Sequence, residues 1–195
     1  MSIPERITEH FNQNINTNIA VADSMVELIM AAGQKMVDAI LNGNKILICG
    51  NGGAGAQAQY LSAQLLNRFS IERPALPAVA LSSDSAIITA IGSDSDFKYI
   101  FAKQIKAIGQ EEDILFVISG GGNPESIDEA LQAAYEKNIQ IIRLTTTDNA
   151  NIAELQHDGN IDLVVPTNKV IRAQESYIVI MHCLCDIIDV SLFGT

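Results

Sequence analysis

From Ile7 the apolar residues Phe11, Ile15 and Ile19 recur at every fourth position, and polar Asn12, Gln13, Asn14, Asn16 and Asn18 fill the places between them. That spacing predicts an amphipathic helix whose apolar stripe needs a partner. A second helix is expected to open at Asp23-Ser24, where Ser24 and Glu27 fit a capping box, and to close at Asn42-Gly43, glycine suiting the left-handed position past a helix end. After Gly43 the texture changes to short apolar runs bounded by Gly, Ser, Asp or Pro. Strands are predicted at Lys45 to Cys49, Ala78 to Leu81, Ile114 to Ile118, Ile139 to Leu144 and Leu163 to Pro166. They are almost continuously apolar, as strands covered on both faces are. Helices are expected between them at Ala54 to Phe69, Ser85 to Gly109 with a break near Gly92, Pro124 to Lys137 and Ile152 to Gln156, with a long one over Val170 to Leu192. Strand-helix alternation with right-handed crossovers implies an α/β three-layer sandwich around a parallel sheet, with any ligand site at the carboxyl ends of the strands. Residues 1–43 read as an N-terminal helical extension and 44–195 as a single structural unit.

Composition narrows the partners. The chain has 195 residues, 48% apolar, with 23 acidic against 12 basic side chains and a formal net charge of −11. Phosphate neutralisation needs clustered Lys and Arg, and no basic run occurs, so direct nucleic-acid binding is not expected. The start Met1-Ser2-Ile3-Pro4-Glu5-Arg6 lacks a basic segment leading into an apolar one, and the apolar stretches look strand-sized, so a cytoplasmic protein without membrane contact is expected. Cys49, Cys183 and Cys185 follow no framework spacing and read as reduced, buried thiols.

Chemistry concentrates in two glycine loops. Gly50, Gly52 and Gly55 satisfy G-x-G-x-x-G between a strand and a helix, but the second strand ends in Leu81-Ser82-Ser83-Asp84, later than a dinucleotide fingerprint requires. Ser119-Gly120-Gly121-Gly122-Asn123-Pro124 follows another strand, with Pro124 where a helix can begin. Two such loops at one sheet edge can offer backbone N–H groups to a small anion, or can simply make tight turns.

The order of elements together with Cys49-Gly50-Asn51-Gly52-Gly53, Asn67-Arg68-Phe69, Glu72-Arg73-Pro74, Leu76-Pro77-Ala78 and His182-Cys183-Leu184-Cys185-Asp186 resembles the sugar isomerase (SIS) family. The likeness runs along nearly the whole chain and is to the branch that holds phosphoheptose isomerases and the DnaA initiator-associating protein DiaA. It implies a flavodoxin-like sheet of five parallel strands, a homotetramer, and ligand-contact positions at Asn51, Gly52, Gly53, Ser93 and Asp94. It also implies a sugar-phosphate loop covering Ser119, Gly120, Gly121 and Pro124, and a four-residue metal site falling on Tyr60, Gln64, Gln174 and His182.

Departures from the family pattern set the functional expectation. The isomerases carry His and Glu where this chain has Tyr60 and Gln64, while Gln174 and His182 are kept. Hydroxyl residues of the isomerases' phosphate loops are replaced by Gly120, Gly121, Pro124 and Ala54. These losses predict a non-catalytic tetramer that binds the initiator DnaA and aids timely chromosomal replication, with Leu192 and Phe193 at the contact and no cofactor. The alternatives are a phosphoheptose isomerase acting on sedoheptulose 7-phosphate, with His182 catalytic and zinc as its metal, and a sensor that holds a sugar phosphate in the cleft without turnover.

Overall fold

Five parallel strands form one sheet in the order β2-β1-β3-β4-β5, as the SIS resemblance implied. They are β1 (Ile46–Cys49), β2 (Ala78–Ala80), β3 (Ile114–Ile118), β4 (Gln140–Thr146) and β5 (Ile161–Val165). This computed structural model describes residues 1–120, 125–147 and 159–194. The expected helix at Ile152 to Gln156 lies outside them, as do Gly121, Gly122, Asn123 and Pro124.

The sheet is covered on both sides because its side chains alternate between two apolar layers. Ile46, Ile48, Ile114, Phe116, Ile118, Ile142, Leu144, Leu163 and Val165 point into a core shared with α1 (Ile3–Ser24), α2 (Val26–Leu41), α3 (Gly53–Leu66) and α7 (Val170–Phe193). Leu47, Cys49, Leu115, Val117 and Ile141 point to the opposite face, onto α5 (Ala102–Ile108) and α6 (Glu125–Glu136). Period-2 alternation with apolar residues at both phases is the signature of a doubly covered strand.

Several element ends differ from expectation for local reasons. Helix α1 starts before Ile7, because Ser2 and Glu5 form a reciprocal capping box and Pro4 sits in the first turn. Ser24 does not cap α2: its hydroxyl bonds back to the carbonyl of Ala20 at 2.7 Å, and the two helices meet at Met25. The long helix expected from Ser85 breaks after Asp94, the end of α4 (Ser85–Asp94), and not at Gly92; Asp96 then caps a 3-10 turn at Phe97–Tyr99. By length and composition α7 is apolar enough to cross a bilayer, against the expectation that apolar stretches are only strand-sized. Here it is the central helix of one layer, packed against α1, α2, α3 and β4, with Arg172 and Asp189 buried along it.

The apolar stripe of α1, which the sequence expects to find a partner, does not find it on α7. The polar face of the helix makes that contact: Asn14 donates to Glu175 at 2.8 Å, Arg172 donates to the His10 carbonyl at 2.7 Å, and Lys169 donates to Gln13 at 3.1 Å. Ile3, Ile7, Phe11, Ile15 and Ile19 remain between 53% and 69% exposed.

Candidate functional site

The first glycine loop and the start of the second, Ser119-Gly120, leave the carboxyl end of the sheet side by side, and Gly50 is dictated by contact. A Cβ on Gly50 would stand 2.8 Å from the Ala54 carbonyl and 2.9 Å from the Ile118 carbonyl, so the first loop closes against the end of β3. Gly52 has φ +56°, a left-handed backbone at the entry to α3. Asn51 donates to the Ser126 hydroxyl at 2.7 Å, tying this loop to the first turn of α6. Gln174 of α7 fits between the loops: its Nε2 lies 3.0 Å from where a Gly53 Cβ would be and 3.8 Å from that of Gly120. Gln57 of α3 donates to the Gln174 carbonyl at 2.7 Å, and the Tyr177 hydroxyl donates to the Ser119 carbonyl at 2.7 Å. Burial pushes the Tyr177 phenol well above its ordinary range, so it stays a donor.

One flank of α3, with Gly55, Ala56 and Gln59, faces a cavity of about 310 Å³ floored by Gly50, Asn51 and Gly52 and walled by Ile88, Phe97 and Phe101. Ser93 and Asp94, at the end of α4, are exposed and do not line it. The other flank faces α7, and there the Tyr60 hydroxyl meets His182 Nε2 at 2.7 Å. Phe69 lies against the same imidazole, ring centres 5.3 Å apart. The resemblance placed Tyr60 and His182 in one constellation, and the structure brings them into contact. Both are half-buried, so the pair is reachable from solvent while screened on the Phe69 side.

The positions that would hold zinc do not fit it. Zinc sites are built from thiolate, imidazole and carboxylate donors, and two ligands at tetrahedral positions stand about 3.3 Å apart. Tyr60 and His182 are closer, at hydrogen-bond distance, and a phenol and a neutral carboxamide, Tyr60 and Gln64, stand where the isomerases have an imidazole and a carboxylate, though Gln174 and His182 are kept. Among the described residues no group of three or more His, Cys, Asp or Glu side chains is placed to hold a metal.

Comparison with known proteins bears on what such a site belongs to. The SIS domain profile matches residues 10–146, well over half of the chain. The chain belongs to the SIS domain family. A phosphoheptose isomerase of Shewanella sp. strain ANA-3 is 47% identical over 189 residues, which cover 97% of this chain and 96% of that one. A phosphoheptose isomerase of Francisella tularensis superposes with a TM-score of 0.89 at 38% identity, covering 97% of this chain and 99% of that one. The phosphoheptose isomerase GmhA of Neisseria gonorrhoeae gives 0.89 at 37% identity, over 96% and 99%.

These SIS relatives overturn the expectation of a non-catalytic DnaA-binding scaffold: they match end to end, and their names are those of an isomerase. The structure supplies the physical reasons. Tyr60 is hydrogen-bonded to His182, so the imidazole keeps a polar partner in the cleft. The contact surface expected at Leu192 and Phe193 is divided, with Leu192 packed on the core and only Phe193 exposed at the helix end. Cys183 is likewise exposed, not buried; Cys49 and Cys185 are buried. Sequence reasoning missed Tyr177, Ser126 and Gln57, which hold the loops, since nothing local marks a tyrosine or serine inside a helix as a loop tether.

Proposed function

We propose that this SIS protein is a sugar-phosphate aldose-ketose isomerase of the phosphoheptose type, interconverting sedoheptulose 7-phosphate and D-glycero-D-manno-heptose 7-phosphate. The 2.7 Å contact between Tyr60 and His182 carries the reading, and the names of the full-length relatives supply the substrate class. Isomerisation moves one proton between adjacent carbons through an enediol and another between their oxygens. The pair offers both functions side by side, an imidazole lone pair as base and a phenol O–H as acid, and such assistance contributes about 10²- to 10⁴-fold.

With His182 Nε2–H donating to the Tyr60 oxygen, Nδ1 keeps its lone pair and takes the proton from C1 of the open-chain ketose, returning it at C2, while the free Tyr60 O–H gives a proton to O2 and recovers one from O1. Gln174, wedged between the loops, is placed to orient sugar hydroxyls. With hydroxyl side chains lost, the phosphate is left to backbone N–H groups at Gly52 and Gly53 and to the positive end of the fourteen-residue helix α3. The donor set argues for a reaction that needs no metal.

The test is turnover of sedoheptulose 7-phosphate by the purified protein with and without a chelator. Turnover indifferent to chelation is expected, falling at least about 10²-fold in His182→Ala and about tenfold or more in Tyr60→Phe. No turnover under either condition would overturn the proposal, and turnover abolished by chelation and restored by zinc would overturn its metal-free form.

A further inference from the structure

We propose that the buried Arg73–Asp189 ion pair is a positioning device that sets the spacing of Tyr60 and His182, a role that rests on the isomerase reading above. The guanidinium is wholly buried, and its four bonds reach two helices and a loop. Nε donates to Asp189 Oδ1 at 2.6 Å, Nη1 to the Leu65 carbonyl at 2.9 Å and the Pro74 carbonyl at 3.1 Å, and Nη2 to the Gln64 carbonyl at 2.9 Å. Gln64 and Leu65 are in the last turn of α3, where carbonyls have no partner within the helix. Arg73 therefore caps the helix that carries Tyr60, and by the same group fastens it to the helix that carries His182.

Register makes the fastening effective. Asp189 lies seven residues beyond His182 on α7, about two turns along the same face. Gln64 lies four residues beyond Tyr60, one turn along α3. The pair and the clamp thus occupy successive levels of one α3–α7 seam, and a helix is stiff over one or two turns, so a shift at the clamp is delivered to the 2.7 Å contact.

Stability alone does not account for charges here. A buried ion pair is commonly replaceable by apolar residues without loss of stability. Asp189 Oδ2 moreover has no hydrogen-bond partner among the described residues. What an arginine provides that an apolar pair cannot is direction, a planar fork whose donors reach a carboxylate and three carbonyls at fixed angles. The neighbouring Cys185 thiol, pushed up to about 12 chiefly by burial and by Asp189, stays neutral and leaves Arg73 to the carboxylate.

The experiment compares the full-length protein with the double variant Arg73→Met, Asp189→Leu and with Arg73→Lys. It reads kcat and KM for sedoheptulose 7-phosphate, thermal unfolding, and the nitrogen resonances of the His182 ring, assigned against His182→Ala. The double variant, which strips the Leu65, Pro74 and Gln64 carbonyls of that donor, is expected to unfold at a lower temperature; assayed well below its melt, it is expected to show kcat down by about 10- to 100-fold, KM within about threefold, and shifted ring resonances. Arg73→Lys, which keeps the charge but loses the fork, is expected to fall between. Unchanged kcat and ring resonances in a folded double variant would overturn the proposal, as would activity lost only in step with melting. Should the double variant not fold, Arg73→Lys decides by the same readouts. If the unsubstituted protein does not turn over the substrate, the isomerase reading fails, while the ring resonances still decide whether Arg73 positions His182.

Discussion

Gly50 shows how tightly single residues are fixed at the sheet edge. The atoms a Cβ would meet, 2.8 to 2.9 Å away, are backbone of Ala54 and Ile118 and cannot swing aside. Gly50→Ala is therefore expected to destabilise by about 1–3 kcal/mol, lowering Tm by roughly 2–10 °C in a thermal melt. The thiols give a second residue-scale prediction. Burial pushes Cys49 up to about 12 and, aided by Asp189, Cys185 to about 12. In the folded chain these thiols keep protons that the unfolded chain releases near its ordinary thiol value of about 8.5. Their contribution to stability is thus complete below about pH 8.5 and is lost as pH rises toward 12. Denaturant titrations should show a falling midpoint across that window, and a thiol reagent at neutral pH should modify Cys183 first. At this scale the sequence shows which residue types stand at the site positions but not their contacts: Tyr60 and His182 are 122 residues apart, and only the packing of α3 on α7 joins them.

At the scale of elements, α1 is the informative case. Its i, i+4 stripe was legible, yet the face that docks on α7 is the polar one, because Glu175, Arg172 and Lys169 offer Asn14, His10 and Gln13 specific partners. An apolar stripe left outward along a whole helix is the kind of surface that associates. We expect it to be covered by another copy of this chain in the homotetramer that the resemblance implied. Phe11→Glu with Ile15→Glu should lower the mass measured by light scattering without loss of helix signal. Strand positions were readable because doubly buried strands are continuously apolar. Helix ends were less so, since Ser2, Asp84 and Asp96 cap through side-chain bonds that a serine or aspartate in sequence only permits.

For the whole molecule, the parallel sheet and its two helical layers were legible and the activity was not. Loss of the family's His and Glu at Tyr60 and Gln64 removes one way of moving a proton; it does not remove the imidazole, which the fold supplies with a phenol neighbour instead. Reading the substitutions one at a time weighed each as a subtraction. Their mutual placement, together with 47% identity along the length of a phosphoheptose isomerase, supports the proposed reading of the set as a rearranged site.

Helix α7 is made last among the described elements, yet Tyr177, Ile180, Met181, Leu184 and Ile188 lie at the heart of the larger core. Strand β1 likewise waits for the central strand β3, its partner 68 residues later at Leu47 and Leu115. On the ribosome, then, the growing chain carries an unfinished sheet for most of its synthesis, a stage at which bare strand edges can aggregate or recruit chaperones. His182 arrives on the same segment that closes the core. On the isomerase reading proposed above, the site and the core are completed together, and a chain released before Val170 lacks both.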